Sequence, residues 1–384
     1  MKTILSDHRD RLIVALLVLC AALVTGVITY FLLFTSDLTD IQAHVQFARD
    51  LLTGQVAAIH AMLQVLIIGL SPLVSMETAA LIVTVIFYSL TAALIYAVLR
   101  GSTERRWLAA LVALCLLIVA PISLLTWNIS RYYLGYVGIN VFHSPTMELL
   151  KPFALLIMLF ALRVLNGAAP LNWRTVGLGA LLIALALFAK PNFVLAFLPA
   201  LIAYAAYRLY RGSRIGLPVL VAALIIPMIV LLGLQYVLQF VITANGVNGI
   251  AIAPLETVSR WESARWWIPV KLLMSIAFPL SVLVLYWNEA RQQVALGLSW
   301  LTFLSGAAQM YLLTEVGERA DHGNFWWSAQ IGLFVLFVFS ARFWITRLRN
   351  EPRSYVTAII FALHVISGIA FAVRTLTAGA YAGW

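Results

Sequence analysis

Charge is what this sequence has least of. Lys, Arg, Asp and Glu make up 10% of its 384 residues, whereas a soluble domain carries about a quarter. With 63% hydrophobic residues and a mean hydropathy of +0.98, a soluble globular protein is excluded and an integral membrane protein is implied. Cysteine is nearly missing too. Cys20 and Cys115 each lie inside an apolar run, where a thiol packs as a small hydrophobe, so neither a disulfide framework nor a thiolate metal site is indicated. No Gly/Ser-rich linker or shift in composition divides the chain, and no external stretch is long enough to fold alone, which leaves one domain over 1–384. There is no short-period repeat and no pair of matching halves of a transporter type. The net charge of +10 is explained by basic loops held on the cytoplasmic side, and nothing points to nucleic acid.

What the chain has instead is apolar runs near the ~20 residues a membrane span needs. They fall near 12–34, 77–99, 107–125, 151–167, 174–189, 193–210, 216–241, 270–287, 293–314, 325–346 and 354–373. The first follows MKTILSDHRDR and has no small-x-small cleavage site before Asp37, so it reads as an uncleaved signal anchor with a cytoplasmic N-terminus. Residues 55–71 are ambiguous. Counting them as a span would turn RGSTERR outward, against the positive-inside bias, so they are laid in the interface. The expected fold is all-α: a polytopic membrane bundle of about eleven transmembrane helices, plus an interfacial helix in the first external loop, 35–76. Arg100, Arg105, Arg106, Arg174, Arg208, Arg211, Arg214, Arg291, Arg342, Arg347 and Arg353 then lie on the cytoplasmic side, and most acids on the other. Any chemistry faces outward from a plasma or inner membrane.

The first external loop, TSDLTDIQAHVQFARDLLTGQ, holds unusually many ionisable residues. On a helical wheel of residues 40–52, Ile41, Val45, Ala48 and Leu52 form one apolar stripe, while Gln42, Gln46, Arg49 and Asp50 cover the far side. Asp40 and His44, one turn apart, flank the stripe. This predicts an interfacial amphipathic helix that turns a carboxylate and an imidazole toward the protein. The plainer alternative makes Asp40 a helix cap or first-turn acid, with Thr39 or Asp37 before it.

Asp40, His44, Ala48, Leu51-Leu52 and Gly54 together resemble the motif of multi-spanning glycosyltransferases of the GT-C superfamily: an Asp, an aromatic four residues on, an Ala, a Leu pair and a Gly. GLGALLIALALFAKPNFVLAFLPALIAY, residues 177–204, is similar to their helical hairpin with Lys-Pro at the non-cytoplasmic turn. The resemblance implies a polyprenyl-phosphate-linked sugar donor, an essential acid in the first extracytoplasmic loop and a membrane-parallel helix after it. The chain departs at His44, where an aromatic is commoner, and at Gln42, where glycolipid-anchor mannosyltransferases carry a second acid. That missing acid weakens any metal site.

Other stretches gather polar groups on the same side. VFHSPTMELLKPFALL places His143, Glu148 and Lys151 at the entrance of a span, with a helix start marked by Ser144-Pro145 or Lys151-Pro152. It is either an anion site at a helix N-terminus or an ordinary Pro-initiated span with a snorkelling Lys. TEVGERADHGNFWW packs Glu315, Glu318, Arg319, Asp321, His322 and Asn324 between two spans, as a sugar-contacting loop or a solvated one. SRWESARWWIPVK offers Arg260, Arg265 and Lys271 with Trp261, Trp266 and Trp267, either for a phosphate or as an interfacial anchor. Lys190 joins them at its hairpin. His364, deep in an apolar run, reads as a packing hydrogen bond.

These residues read together as an inverting membrane glycosyltransferase. It moves a hexose or pentose from the polyprenyl-phosphate donor to a hydroxyl of an envelope glycan, lipid or protein, with Asp40 (or Asp37) as base and no cofactor. A divalent metal stays open but disfavoured. A polysaccharide polymerase or ligase would use the same parts, and a transporter or flippase for a lipid-linked sugar is the rival of another class.

Overall fold

The computed structural model describes residues 7–36, 39–54, 60–123, 135–242, 249–261, 265–317, 323–348 and 351–377. It is a helical bundle. Apart from one four-residue turn of helix (Trp287–Ala290), the helices in chain order are α1 (His8–Phe34), α2 (Asp40–Leu52), α3 (Met62–Leu70), α4 (Met76–Arg100), α5 (Arg106–Leu116), α6 (Pro145–Leu165), α7 (Trp173–Ala189), α8 (Asn192–Tyr210), α9 (Leu217–Val241), α10 (Glu256–Trp261), α11 (Trp267–Leu285), α12 (Val294–Leu312), α13 (Trp326–Ile345) and α14 (Pro352–Thr377). Seven of these, α1, α4, α8, α9, α11, α13 and α14, are long and apolar enough to cross a membrane.

The all-α expectation needs one amendment. Strands β1 (Gly249–Ile252) and β2 (Leu313–Val316) pair antiparallel, Gly249 opposite Val316, and tie two of the predicted external loops together. Their Ile/Val content and short length suit a small ribbon at the end of the bundle.

Helix α13 is the axis. It packs against α12, α8, α11, α4, α6 and α5, and its side chains are almost all buried. Between helices in lipid the hydrophobic effect gives little, so close approach through small residues must supply the association. A methyl group on Gly306 of α12 would overlap the Ser328 carbonyl, and one on Gly332 of α13 would lie 2.9 Å from the Cα of Phe303. The two helices interlock at reciprocal glycines.

The predicted span 107–125 is shorter than its composition implies. Helix α5 stops at Leu116, and the chain runs on without helix through 117–123. Pro121 is the cause: it lacks the N–H that would bond the Leu117 carbonyl, and its ring crowds the preceding turn. The freed backbone groups are recovered by neighbours. Tyr88 donates its hydroxyl to the Leu117 carbonyl, Asn140 Nδ2 donates to the carbonyls of Leu116 (3.1 Å) and Val119 (2.9 Å), and the amides of Ala120 and Ile122 donate to the carbonyls of His364 (3.1 Å) and Met274 (3.1 Å). Such irregular backbone is tolerated when it is buried in protein. His364 serves the same repair: Nδ1 meets the Ala120 carbonyl at 2.7 Å, and Nε2 accepts the Phe278 amide at 3.3 Å.

The span expected from residue 151 begins earlier, at Pro145, with Ser144 as N-cap, and continues through Pro152. Proline at the first helical position is pre-organised for that start. Segment 55–71 contributes α3, nine residues long and too short to span.

Candidate functional site

Helix α2 begins as the wheel predicts. Ile41, Val45 and Ala48 are buried, whereas Leu52 at its end is 60% exposed. Thr39 is the N-cap, and its amide donates to Gln42 Oε1 at 2.8 Å. Gln42 Nε2 donates in turn to the carbonyls of Leu33 (3.1 Å) and Ser36 (3.0 Å) at the end of α1. An ionised carboxylate could not donate to these carbonyls, so the position calls for an amide. With capping assigned to Thr39 and Gln42, the Asp40 side chain is left to face the protein.

It faces His143. Asp40 Oδ2 lies 3.7 Å from His143 Nε2, with side-chain exposures of 43% and 10%. His143 is presented by the turn before α6, where the Ser144 amide donates to the Val141 carbonyl at 2.9 Å. Its ring stands 5.8 Å from that of Trp327, the second residue of α13. Lys190, in the turn between α7 and α8, lies 4.1 Å over the other part of this wall, the Trp327 ring, and donates to Thr146 Oγ1 at 3.2 Å. His44 completes the group, its Nδ1 2.8 Å from Gln64 Nε2 of α3. Asp40, His44, His143 and Lys190, four separate expectations from sequence, are thus brought to one end of the bundle. Gln64, Thr146 and Trp327 join them without having been singled out.

Burial sets the charges. It pushes His143 down to about 4, a fall that the carboxylate of Asp40 opposes and Lys190 assists. His44 also falls to about 4, from burial and then from Lys190. Lys190 is lowered to about 8 by burial, against the pull of Asp40. Near neutral pH the site therefore holds two neutral imidazoles and a lysine that is mostly a cation. Helices α2, α6, α8 and α13 all begin here, and their N-terminal dipoles favour a bound anion.

The remaining candidates are placed elsewhere or in supporting roles. Glu148 lies in the first turn of α6 and Lys151 about one turn further in; Lys151 is 1% exposed and bonds Glu148 Oε1 at 2.6 Å and Asn140 Oδ1 at 2.9 Å. A lysine this buried does not snorkel to the interface. Through Asn140 it supports the non-helical stretch after α5. Lys271 is 3% exposed with its Nζ 5.3 Å over Tyr136, whose carbonyl accepts Trp326 Nε1 at 3.0 Å. Arg260 pairs with Glu256 at 3.3 Å on its own helix, and Arg265 is exposed. Glu315, on β2, accepts from Asn324 Nδ2, and the Asn324 carbonyl accepts from Asn192 at 2.7 Å, so the ribbon is pinned to the start of α8 beside Lys190. Asp37, Glu318, Arg319, Asp321 and His322 lie outside the described residues. Among the described residues, no three of His, Cys, Asp and Glu gather closely enough to hold a metal ion.

Comparison with known proteins finds no matching family model, no similar curated protein and no similar solved structure.

Proposed function

We propose that this chain is a membrane glycosyltransferase that moves a sugar from a polyprenyl-phosphate donor to a hydroxyl of an envelope glycan, lipid or protein. The observation that carries the reading is the convergence of a half-exposed carboxylate, Asp40, with the half-buried cation Lys190 at an end of the bundle where helix N-termini meet. Transfer from such a donor needs a base for the acceptor proton, positive charge for the departing phosphate, and alignment of attack opposite the leaving group. Asp40 takes the proton, Lys190 receives the phosphate, and in-line displacement inverts the anomeric carbon. A polymerase or ligase acting on a lipid-linked glycan would differ in the size of its groove. No metal is required by this set, and activity is expected to survive EDTA; inactivation restored by Mg²⁺ would overturn that part.

The membrane threading belongs to the same proposal. Arg100 and Arg106 meet Asp10 at the end opposite Asp40, whereas α6 starts beside Asp40 and α7 returns to it at Lys190. On this reading the chain crosses once between the start of α5 and the start of α6, once in α6 and once in α7. We read eleven crossings, with the Asp40 end outward.

The test is Asp40→Asn in detergent with a short-chain polyprenyl-phosphate sugar. Turnover should fall by about 10²–10⁴, the usual contribution of a general base, with donor binding kept. A fall of less than tenfold would move the role elsewhere.

One observation favours a second reading, a flippase for lipid-linked sugars. The buried Glu148–Lys151 pair beside an interrupted helix is the kind of feature transporters place on a substrate path. Translocation needs a sealed membrane and group transfer does not, so turnover in detergent separates the two.

A further inference from the structure

We propose that His143 is a positioning residue for Asp40: its imidazole gives an N–H to one carboxylate oxygen and leaves the other turned toward the acceptor hydroxyl. The inference rests on the reading of Asp40 as the base. Three observations support it.

The first is the order of the two groups. Asp40 stands in front, 43% exposed, and His143 behind it, 10% exposed. A substrate approaching from the open side meets the carboxylate first. In the familiar arrangement of a histidine base oriented by an acid, the imidazole would be in front; here the sequence of contact is reversed.

The second is rigidity. Pro145 fixes the backbone two residues after His143, the Ser144 amide closes the turn on Val141, and the Trp327 ring braces the imidazole. Trp327 is itself fixed, because Gly306 seats α12 against Ser328 and Trp326 is bonded to the Tyr136 carbonyl. The 3.7 Å between Nε2 and Oδ2 is slightly longer than a hydrogen bond, and such contacts commonly tighten when substrate binds.

The third is charge. Among the described residues, the charged groups that act on His143 are Asp40 from α2 and Lys190 from the turn before α8, and the same two act on His44 of α2. On the neighbouring elements Arg49 is paired with Glu77 and Glu148 with Lys151. In this setting the imidazole is neutral near pH 7. A neutral donor orients the carboxylate without trapping it in an ion pair.

The experiment compares His143→Gln, which retains an amide N–H donor, with His143→Phe, which retains a ring and loses the donor. Should the Phe variant fail to fold, His143→Met serves as the donorless form. The donorless variant should lose kcat by about 10- to 100-fold, the worth of a hydrogen bond to a charged group, with KM within a factor of about three. Its acid limb should move to higher pH, because a carboxylate deprived of a donor is easier to protonate. His143→Gln should recover most of the loss. Equal defects in the two variants, or an unmoved acid limb, would overturn the proposal. The Asp40 titration, followed by ¹³C NMR of Asp-labelled protein in nanodiscs and assigned with Asp40→Asn, gives a readout that needs no transfer activity. An upward shift in the donorless variant sustains the positioning role even if no sugar donor is turned over and the transferase reading falls; an unchanged titration removes the role whatever the activity.

Discussion

Among the described residues Lys190 is the cation beside Asp40, while Arg260 is engaged by Glu256 and Arg265 is exposed. Lys190→Ala should therefore weaken transfer far more than Arg260→Ala or Arg265→Ala, read as kcat/KM on the same donor; an equal or smaller effect would shift the phosphate to the arginine segment. The pH dependence follows from burial. A lysine lowered to about 8 is charged below that pH and discharged above it, so its help to a phosphate fades as pH rises through about 8. Lys190→Arg, whose guanidinium stays charged, should retain part of the activity and lose that alkaline limb. The four central residues were legible because ionisable groups are rare in this chain and each had to be justified against lipid. Gln64 was hidden in a segment whose depth was ambiguous, Thr146 is chemically unremarkable, and Trp327 is one of 12 tryptophans for which a headgroup belt is sufficient explanation. What selects Trp327 is tertiary: its ring touches both His143 and Lys190.

Between elements, the site depends on where α13 begins, and that depends on glycine. A Cβ on Gly306 would overlap the Ser328 carbonyl, one residue from Trp327, whereas a Cβ on Gly233 in α9 meets nothing within 4 Å. Gly306→Ala should destabilise by about 1–3 kcal/mol through overpacking and reduce transfer by displacing Trp327. Gly233→Ala should be neutral or stabilising by up to about 1 kcal/mol, because it removes backbone freedom from a helix interior. Thermal unfolding in detergent compares them, and a Gly306→Ala protein with unchanged Tm and turnover would show that the helices can separate without cost. Hydropathy located the helices well because burial in lipid and burial in a bundle ask for the same side chains. It missed the early stop of α5 because Leu116–Ala120 is apolar throughout, and only Pro121 signals that the backbone must find other partners. The β1–β2 ribbon was also invisible, since each strand has four residues and gains its stability from a partner more than sixty positions away.

For the whole molecule the question is which way the bundle stands in its membrane. Basic residues are grouped at the end opposite Asp40: Arg100 and Arg106 with Asp10, Arg342 bonded to Ser102 at 2.7 Å, and Arg353 between Glu289 and Glu351. Such an excess of arginine in short loops sets orientation during insertion, so this end should be cytoplasmic. Seven crossings or eleven would equally leave the two termini on opposite sides, and labelling the termini alone cannot separate the counts. The loops can. If only the seven helices that pass by length and composition crossed, the turn carrying Lys190 would fall on the side of Arg100, although the fold places it with Asp40. With Cys20 and Cys115 replaced, single cysteines at positions 37, 169, 190 and 380 and at position 103 can be challenged by an impermeant maleimide from outside. Positions 37, 190 and 380 should label and positions 103 and 169 should be protected. Labelling at 103 would mean that α3 spans and the threading is inverted beyond it, and protection at 190 would mean that α5 to α7 do not complete three crossings. Either result would separate Asp40 from Lys190 across the membrane and remove the site on which the transferase reading stands.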